Sequence, residues 1–225
     1  LTIPDAMGLG LYFVDGEGPK FERPLQDEKE VQKLDIPNVD EKLHYVFEAV
    51  RSIKKALNQR VPLIGFSGSP WTLATYMVEG KGGTDFLNIK KMLYARPDLI
   101  SHILKINTET VTKYLASQIE AGVDAVMIFD SWGGALAHSE YENHSLNFMK
   151  VIISNLNLLG YDNIPKIIFT KGGGQWLESQ AQIGASAIGL DWQTNMAKAR
   201  KTVGENITLQ GNLDPAILLS SPKAI

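Results

Sequence analysis

The chain of 225 residues contains no cysteine. Disulfide staples, zinc–thiolate centres, iron–sulfur clusters and a cysteine nucleophile are thereby excluded from it. Charge bias is missing as well: 22 Lys and Arg stand against 25 Asp and Glu, a net charge of −3. With no basic run to make a local positive field, nucleic acid is not an expected partner. No apolar run approaches the ~18 residues of a membrane helix, and no signal peptide is visible, so no membrane partner is expected. A cysteine-free chain of this kind fits a cytoplasmic location. Histidines number four. His44 and His102 fall in helical stretches and are expected to face solvent. His138 and His144 are six apart, whereas a helical metal pair is spaced by four, so no metal site is expected. The Gly-x-Gly-x-x-Gly turn, the Walker A loop and the Gly-x-Ser-x-Gly elbow are absent too.

What is present is a globular balance, 44% hydrophobic and 21% charged. Five short apolar runs read as buried strands: 61–66, 125–129, 166–170, 187–190 and 207–210. They are continuous, which predicts strands covered on both faces, as in parallel sheets. Helical patterns lie between them. Asp40 is placed to cap a helix carrying Leu43, Phe47, Val50 and Leu57 on one stripe. Asp98 is placed to open another, with Ile100, Leu104, Val111, Leu115 and Ile119 at helical spacing and Gly122 at its end. Ser139 begins a third that Gly160 stops, and shorter helices fit 176–183 and 195–203. Strand and helix alternate, which predicts βαβ units with right-handed crossovers. Before them, 11–14 and 20–23 flank Asp15-Gly16-Glu17-Gly18 and read as a hairpin insertion.

Five βα units are too few to close a (β/α)8 barrel and enough for an open doubly wound sheet. Two observations favour the barrel. The dinucleotide fingerprint of doubly wound folds is missing. Every strand also ends in polar or small residues: Ser67-Gly68-Ser69, Asp130-Ser131, Thr170-Lys171-Gly172, Asp191-Trp192, and Gly211-Asn212 with Asp214. In a barrel those ends form the rim that carries the active site. Leu1 in place of Met, and a last segment from Leu218 that stops without helix or cap, lead to the expectation that the chain is a piece of something longer.

Three constellations carry chemistry. After 66–71, small residues let backbone approach a ligand, and Tyr76 can present a phenol to the rim. Taken alone, such a tyrosine more often packs its ring and makes one hydrogen bond. Phe129-Asp130-Ser131-Trp132-Gly133-Gly134 places a carboxylate, a hydroxyl and an indole at one strand end. Ser131 suits a hydrogen bond to a substrate carboxylate, while Asp130 is as readily a helix cap or a structural salt bridge. Thr170-Lys171-Gly172-Gly173-Gly174-Gln175 resembles a phosphate cradle at a helix N-terminus, and Lys171 is expected to bind an anion or to bridge to Asp130 or Asp191.

The stretch Phe66-Ser67-Gly68-Ser69-Pro70-Trp71-Thr72-Leu73-Ala74-Thr75-Tyr76-Met77-Val78-Glu79-Gly80 resembles the uroporphyrinogen decarboxylase family, in its bacterial form. Ile3-Pro4-Asp5-Ala6-Met7-Gly8-Leu9-Gly10, the 129–134 and 169–174 stretches, Gly189-Leu190-Asp191-Trp192 and Leu209-Gln210-Gly211-Asn212-Leu213-Asp214-Pro215 agree in order. The resemblance implies an α/β chain covering about five of the eight βα units of a (β/α)8 TIM barrel, with the N-terminal hairpin as an insertion. Residues 1–225 would then be one incomplete barrel domain. It implies a homodimeric carboxy-lyase that removes the four acetate carboxyls of uroporphyrinogen III to give coproporphyrinogen III, with no metal or organic cofactor. Tyr76 matches the family's substrate-contacting tyrosine, and Ser131 its carboxylate-binding Ser or Thr. Phe129, Asp130, Lys171, Asp191 and Asn212 are further rim candidates. The family's Arg-Gln-Ala-Gly-Arg segment is absent, its catalytic Asp belongs just upstream of Leu1, and its Gly-His motif beyond Ile225. Residues 1–225 alone are therefore expected to be inactive. Two alternatives stand beside this reading. One is a related corrinoid or thiol methyltransferase barrel, which would need Cys and His for zinc. The other is a non-catalytic binding fragment.

Overall fold

The computed structural model describes residues 1–83 and 85–225. Strands β1 (Leu11–Val14) and β2 (Gly18–Phe21) form the expected antiparallel hairpin. Strands β3 (Ile64–Gly68), β4 (Ala125–Asp130), β5 (Lys166–Thr170), β6 (Ala187–Gly189) and β7 (Thr208–Gln210) form one parallel sheet in that order. All five apolar runs are therefore strands, with ends moved by up to three residues. A doubly wound sheet reverses its strand order at a switch point. Here each strand pairs with the next in sequence, the arrangement of a (β/α)8 barrel wall.

The expectation that both faces are covered is corrected. Burial alternates along β3, and on β4 the inward Ala125 and Phe129 are only partly buried. Val126, Ile128, Ile168 and Ile188 point outward onto the helices and are buried to 1% exposure or less. Phe66, Met127, Phe129, Ile167, Phe169 and Ala187 have the opposite parity and line the inner face, where Met127, Ile167 and Ala187 make a small cluster apart from the main core. Phe66 is 60% exposed there. The runs read as continuous because apolar residues occupy both parities, not because both faces are packed.

The outer layer rests on the Pro97–Glu120 helix, whose Ile100, Ile103, Leu104, Val111 and Leu115 are fully buried along one helical stripe. Pro97 sits in its first turn, where its missing N–H costs nothing. Asp98 lies inside that turn and pairs with Arg96, so Arg96 rather than Asp98 holds the cap position. Asn38, not Asp40, caps the short Val39–Lys42 helix; Asp40 instead accepts a 2.8 Å bond from Ser117 Oγ. The third helix opens at His138 and runs through a π-helical turn at Glu142–Leu146 into Asn147–Leu156, with Gly160 in the left-handed region beyond it. A helix over Leu87–Ala95 has no counterpart in the pattern reading. Asp214 caps a 3-10 turn over Pro215–Leu219, which reaches two residues into the last segment. No helix among the described residues is long and apolar enough to cross a membrane.

Ile168 is central on the covered face of the middle strand. Ile168→Ala is expected to lower unfolding free energy by about 2–5 kcal/mol and Ile168→Val by about 0.5–1.5 kcal/mol, measured by chemical denaturation. Equal stabilities for the two variants would show that this face is not the core.

Candidate active site at the strand C-termini

Ser69 ends β3 and begins the Pro70–Glu79 helix. Its backbone is extended, its Oγ accepts from Thr72 N at 3.0 Å, and Pro70 occupies the first helical position. This cap fixes where the helix leaves the sheet, and so where Tyr76 stands two turns later. Tyr76 is half-buried, with its ring 6.1 Å from that of Trp132. Among the described residues its phenol oxygen has no hydrogen-bond partner, so the single bond of an ordinary packed tyrosine is not made. A Cβ on Gly82 would lie 2.8 Å from that oxygen, which makes Gly82 the wall beside it.

Ser131 follows β4 and keeps the inward parity of Met127 and Phe129. It shares with Tyr76 a cleft of about 300 Å3 whose other walls include Phe66, Phe129, Thr72 and Leu1. Two residues far apart in sequence, from successive βα units, thus meet in one place. The floor is aromatic. Phe129 and Phe169 are register partners on β4 and β5, Phe66 lies on β3 opposite Met127, and neighbouring ring centroids are 5.8 Å apart.

Asp130 is not a rim group. It has the outward parity of Val126 and Ile128 and is fully buried behind the strand. Its Oδ1 accepts from Ser69 Oγ at 2.6 Å and Thr72 Oγ1 at 3.0 Å, and its Oδ2 from Ser145 Oγ at 2.7 Å. Neither a cap nor a salt bridge is formed. Burial pushes its pKa up, while the hydroxyls of Ser69, Ser145, Thr72 and Thr170 pull the other way. No local pattern joins Ser69, Thr72, Ser145 and Thr170 to Asp130, although strand parity places Asp130 with the helix-facing residues.

Asp191 is likewise buried. Its Oδ2 accepts from Gly172 N at 2.5 Å, and its Oδ1 from Gln193 N at 3.2 Å and Thr194 Oγ1 at 3.1 Å. It shapes the loops after β5 and β6 and is not an exposed rim carboxylate. Asn212 braces the same loops by donating from Nδ2 to the carbonyls of Asp191 and Thr194 at 2.7 and 2.6 Å. Lys171 is exposed on the rim and bridges to neither Asp130 nor Asp191. Its Nζ lies 5.8 Å from the ring centroids of both Trp132 and Trp192, within cation–π range. Having no carboxylate partner among the described residues, it is a cation open to an external anion.

Elsewhere, a groove of about 420 Å3 among the outer helices includes Leu25, Asn88 and Arg96. Its guanidinium is already taken by Asp98 and Glu28. His138 stacks on Trp176 and His144 pairs with Glu140. Among the described residues no three His, Cys, Asp or Glu gather as a metal would require.

A sequentially ordered parallel α/β wall of five strands, with an aromatic floor and a hydroxyl-bearing cleft at its strand C-termini, is the architecture of part of a (β/α)8 barrel. The family model described as Uroporphyrinogen decarboxylase (URO-D) matches residues 1–225, and the chain belongs to that family. Proteins named uroporphyrinogen decarboxylase from Methylobacillus flagellatus, Nitrosomonas europaea and Nitrosospira multiformis are 62%, 60% and 59% identical to it over all of its length. The chain spans 64%, 64% and 62% of those relatives, somewhat less than two thirds.

The packing around Asp130 makes one prediction. A Cβ on Gly133 would stand 1.9 Å from Asp130 Oδ2 and 2.9 Å from Thr170 Cγ2. Gly133→Ala is expected to destabilise the protein by about 1–3 kcal/mol in urea denaturation. An unchanged midpoint would mean that the buried carboxylate shifts freely.

Proposed function

We propose that this chain is the central part of a uroporphyrinogen decarboxylase, a carboxy-lyase that removes the acetate carboxyls of uroporphyrinogen III to give coproporphyrinogen III. The observation that carries the reading is the meeting of Tyr76 and Ser131, the two residues matched to the family's substrate contacts, in one cleft over an aromatic floor. Residues 1–225 are read as part of one barrel domain. With the reading go a homodimer and a cytoplasmic location, which the resemblance supports.

The chemistry sets what the site must do. Loss of CO2 from an acetate arm leaves an electron pair that needs a sink. A pyrrole ring protonated on carbon accepts that pair as CO2 departs, the exocyclic carbon takes a proton to become methyl, and the ring carbon gives up its added proton to restore the pyrrole. The protein must bind a flat apolar ring system with charged arms, place one arm, and stabilise the cationic ring. Phe66, Phe129 and Phe169 offer the ring an apolar surface. The Ser131 hydroxyl donates to an arm's carboxylate, and Lys171, held between two indoles, draws a second carboxylate to the rim. Tyr76 lines the same cleft. The resemblance assigns the cation-stabilising carboxylate to a position just before Leu1, and Leu1 itself lines this cleft. A carboxylate arriving there would act electrostatically on the ring.

Two substitutions test the reading in a full-length protein carrying this chain. Tyr76→Phe is expected to cut uroporphyrinogen turnover while leaving the thermal midpoint nearly unchanged, because only a hydroxyl is lost. Normal turnover would remove Tyr76 from the site. At Ser131, Thr is expected to be tolerated, while Ala and Val weaken substrate affinity roughly ten- to a hundred-fold, the equivalent of about 1.5–3 kcal/mol for a bond to a charged group. Substrate affinity in Ser131→Val equal to that of the parent would contradict the assignment.

A further inference from the structure

We propose that Asp130 is a positioning residue for the decarboxylation: its buried carboxylate, gripping Ser69, Thr72 and Ser145, sets the relative placement of Ser131 and Tyr76. This inference rests on the function proposed above.

Asp130 immediately precedes Ser131 in the chain, yet it faces the other way. Each oxygen of its carboxylate is occupied by a hydroxyl from another element. Ser69 is the cap of the helix that carries Tyr76, and Thr72 lies in the first turn of that helix. Ser145 comes from the π-helical turn at Glu142–Leu146, whose widened register is of a kind that recurs at functional sites. A second line of contacts returns to the Ser131 loop. Thr72 Oγ1, while donating to Asp130, accepts from Trp132 N at 3.2 Å. Trp132 O in turn accepts from Trp71 Nε1 at 3.2 Å. Backbone bonds close the frame: Ser69 N donates to Phe129 O at 2.8 Å and Lys171 N to Asp130 O at 3.2 Å.

The result is a closed circuit running Asp130, Thr72, Trp132 and back through Ser131 to Asp130. One side of it holds the helix of Tyr76 and the other the peptide of Ser131. A buried network of this kind has few alternative arrangements, because any rotation leaves a polar atom without a partner and without water. Rigid support of this sort is what a site needs to hold two hydroxyls on one substrate arm. A buried salt bridge would have needed a cation here; hydroxyls do the same work while also capping a helix and accepting a backbone N–H.

The test uses a full-length protein carrying this chain. Thr72→Val keeps the shape of the side chain while removing both the donation to Asp130 and the acceptor for Trp132 N; Asp130→Asn weakens the grip directly. Each is expected to lower kcat by about tenfold or more, with Thr72→Ser restoring most of the loss. The decisive comparison is a double-mutant cycle with Ser131→Ala. If Asp130 acts through Ser131, Thr72→Val added to Ser131→Ala costs less than about twofold further; a fully additive loss overturns the proposal. Hydrogen exchange gives a readout independent of turnover. The Trp132 amide is expected to exchange at least about tenfold faster in Thr72→Val and in Asp130→Asn than in the parent, and unchanged exchange in both overturns the proposal. If the parent itself shows no decarboxylation, the activity reading fails, and the exchange result then decides the positioning role alone. If Asp130→Asn does not fold, Thr72→Val carries both measurements.

Discussion

A carboxyl group taken out of water must be given hydrogen bonds, and those of Asp130 tie the end of β4 to the helix of Tyr76 and to the π-helical turn. Three hydroxyls converge on the carboxylate, two from the start of the Pro70–Glu79 helix and one from the π-helical turn. To bring them together, β3 must end one residue before a helix cap, β4 must turn its last side chain outward, and the following helix must widen by a π-helical turn. Once those conditions hold, Ser131 is left pointing inward and the helix of Tyr76 starts beside it. Gly133 has no room for a side chain because the carboxylate already fills the space.

The sheet divides labour between its faces. Outward residues meet the Pro97–Glu120 helix and its neighbours and form the main core, where Leu104 and Val126 have no exposed surface. Inward residues supply the aromatic floor, still partly open at Phe66. Because all five strands run parallel, their C-terminal ends reach one rim together, and residues far apart in sequence, such as Tyr76 and Ser131, line one cleft. This is the general reason barrel sites collect at strand C-termini.

Much of this was legible beforehand. The strands, the hairpin and the order of strand and helix follow from apolar runs and turn residues, because those signals act over a few neighbours. Cap positions were less legible: Asp40 and Asp98 have the right chemistry for caps, but Asn38 and the Arg96-Pro97 step lie slightly earlier and take the role. At the site, Tyr76 and Ser131 were found through their resemblance to family positions. Asp130 and Asp191 were placed on the rim from their position at strand ends alone. Both are polar groups that the fold buries and satisfies internally, and the partners that make this possible come from segments no local pattern connects. Parity would have separated Asp130 from Ser131, since a strand that shows Phe129 to the inside must turn Asp130 away. No such rule was available for Asp191, whose partners belong to irregular loops.

Family membership and the site geometry converge on one central claim: the cleft between Tyr76 and Ser131 receives a carboxylate arm of a tetrapyrrole whose rings lie over Phe66 and Phe129. The most direct measurement is a crystal structure of a full-length protein carrying this chain, grown with coproporphyrinogen under reducing conditions. The account predicts a ring system on the aromatic floor, with one carboxylate within ~3 Å of Ser131 Oγ and the Tyr76 phenol on the same side. A tetrapyrrole bound elsewhere, for instance along the outer groove beside Leu25 and Arg96 with the cleft left empty, would contradict it.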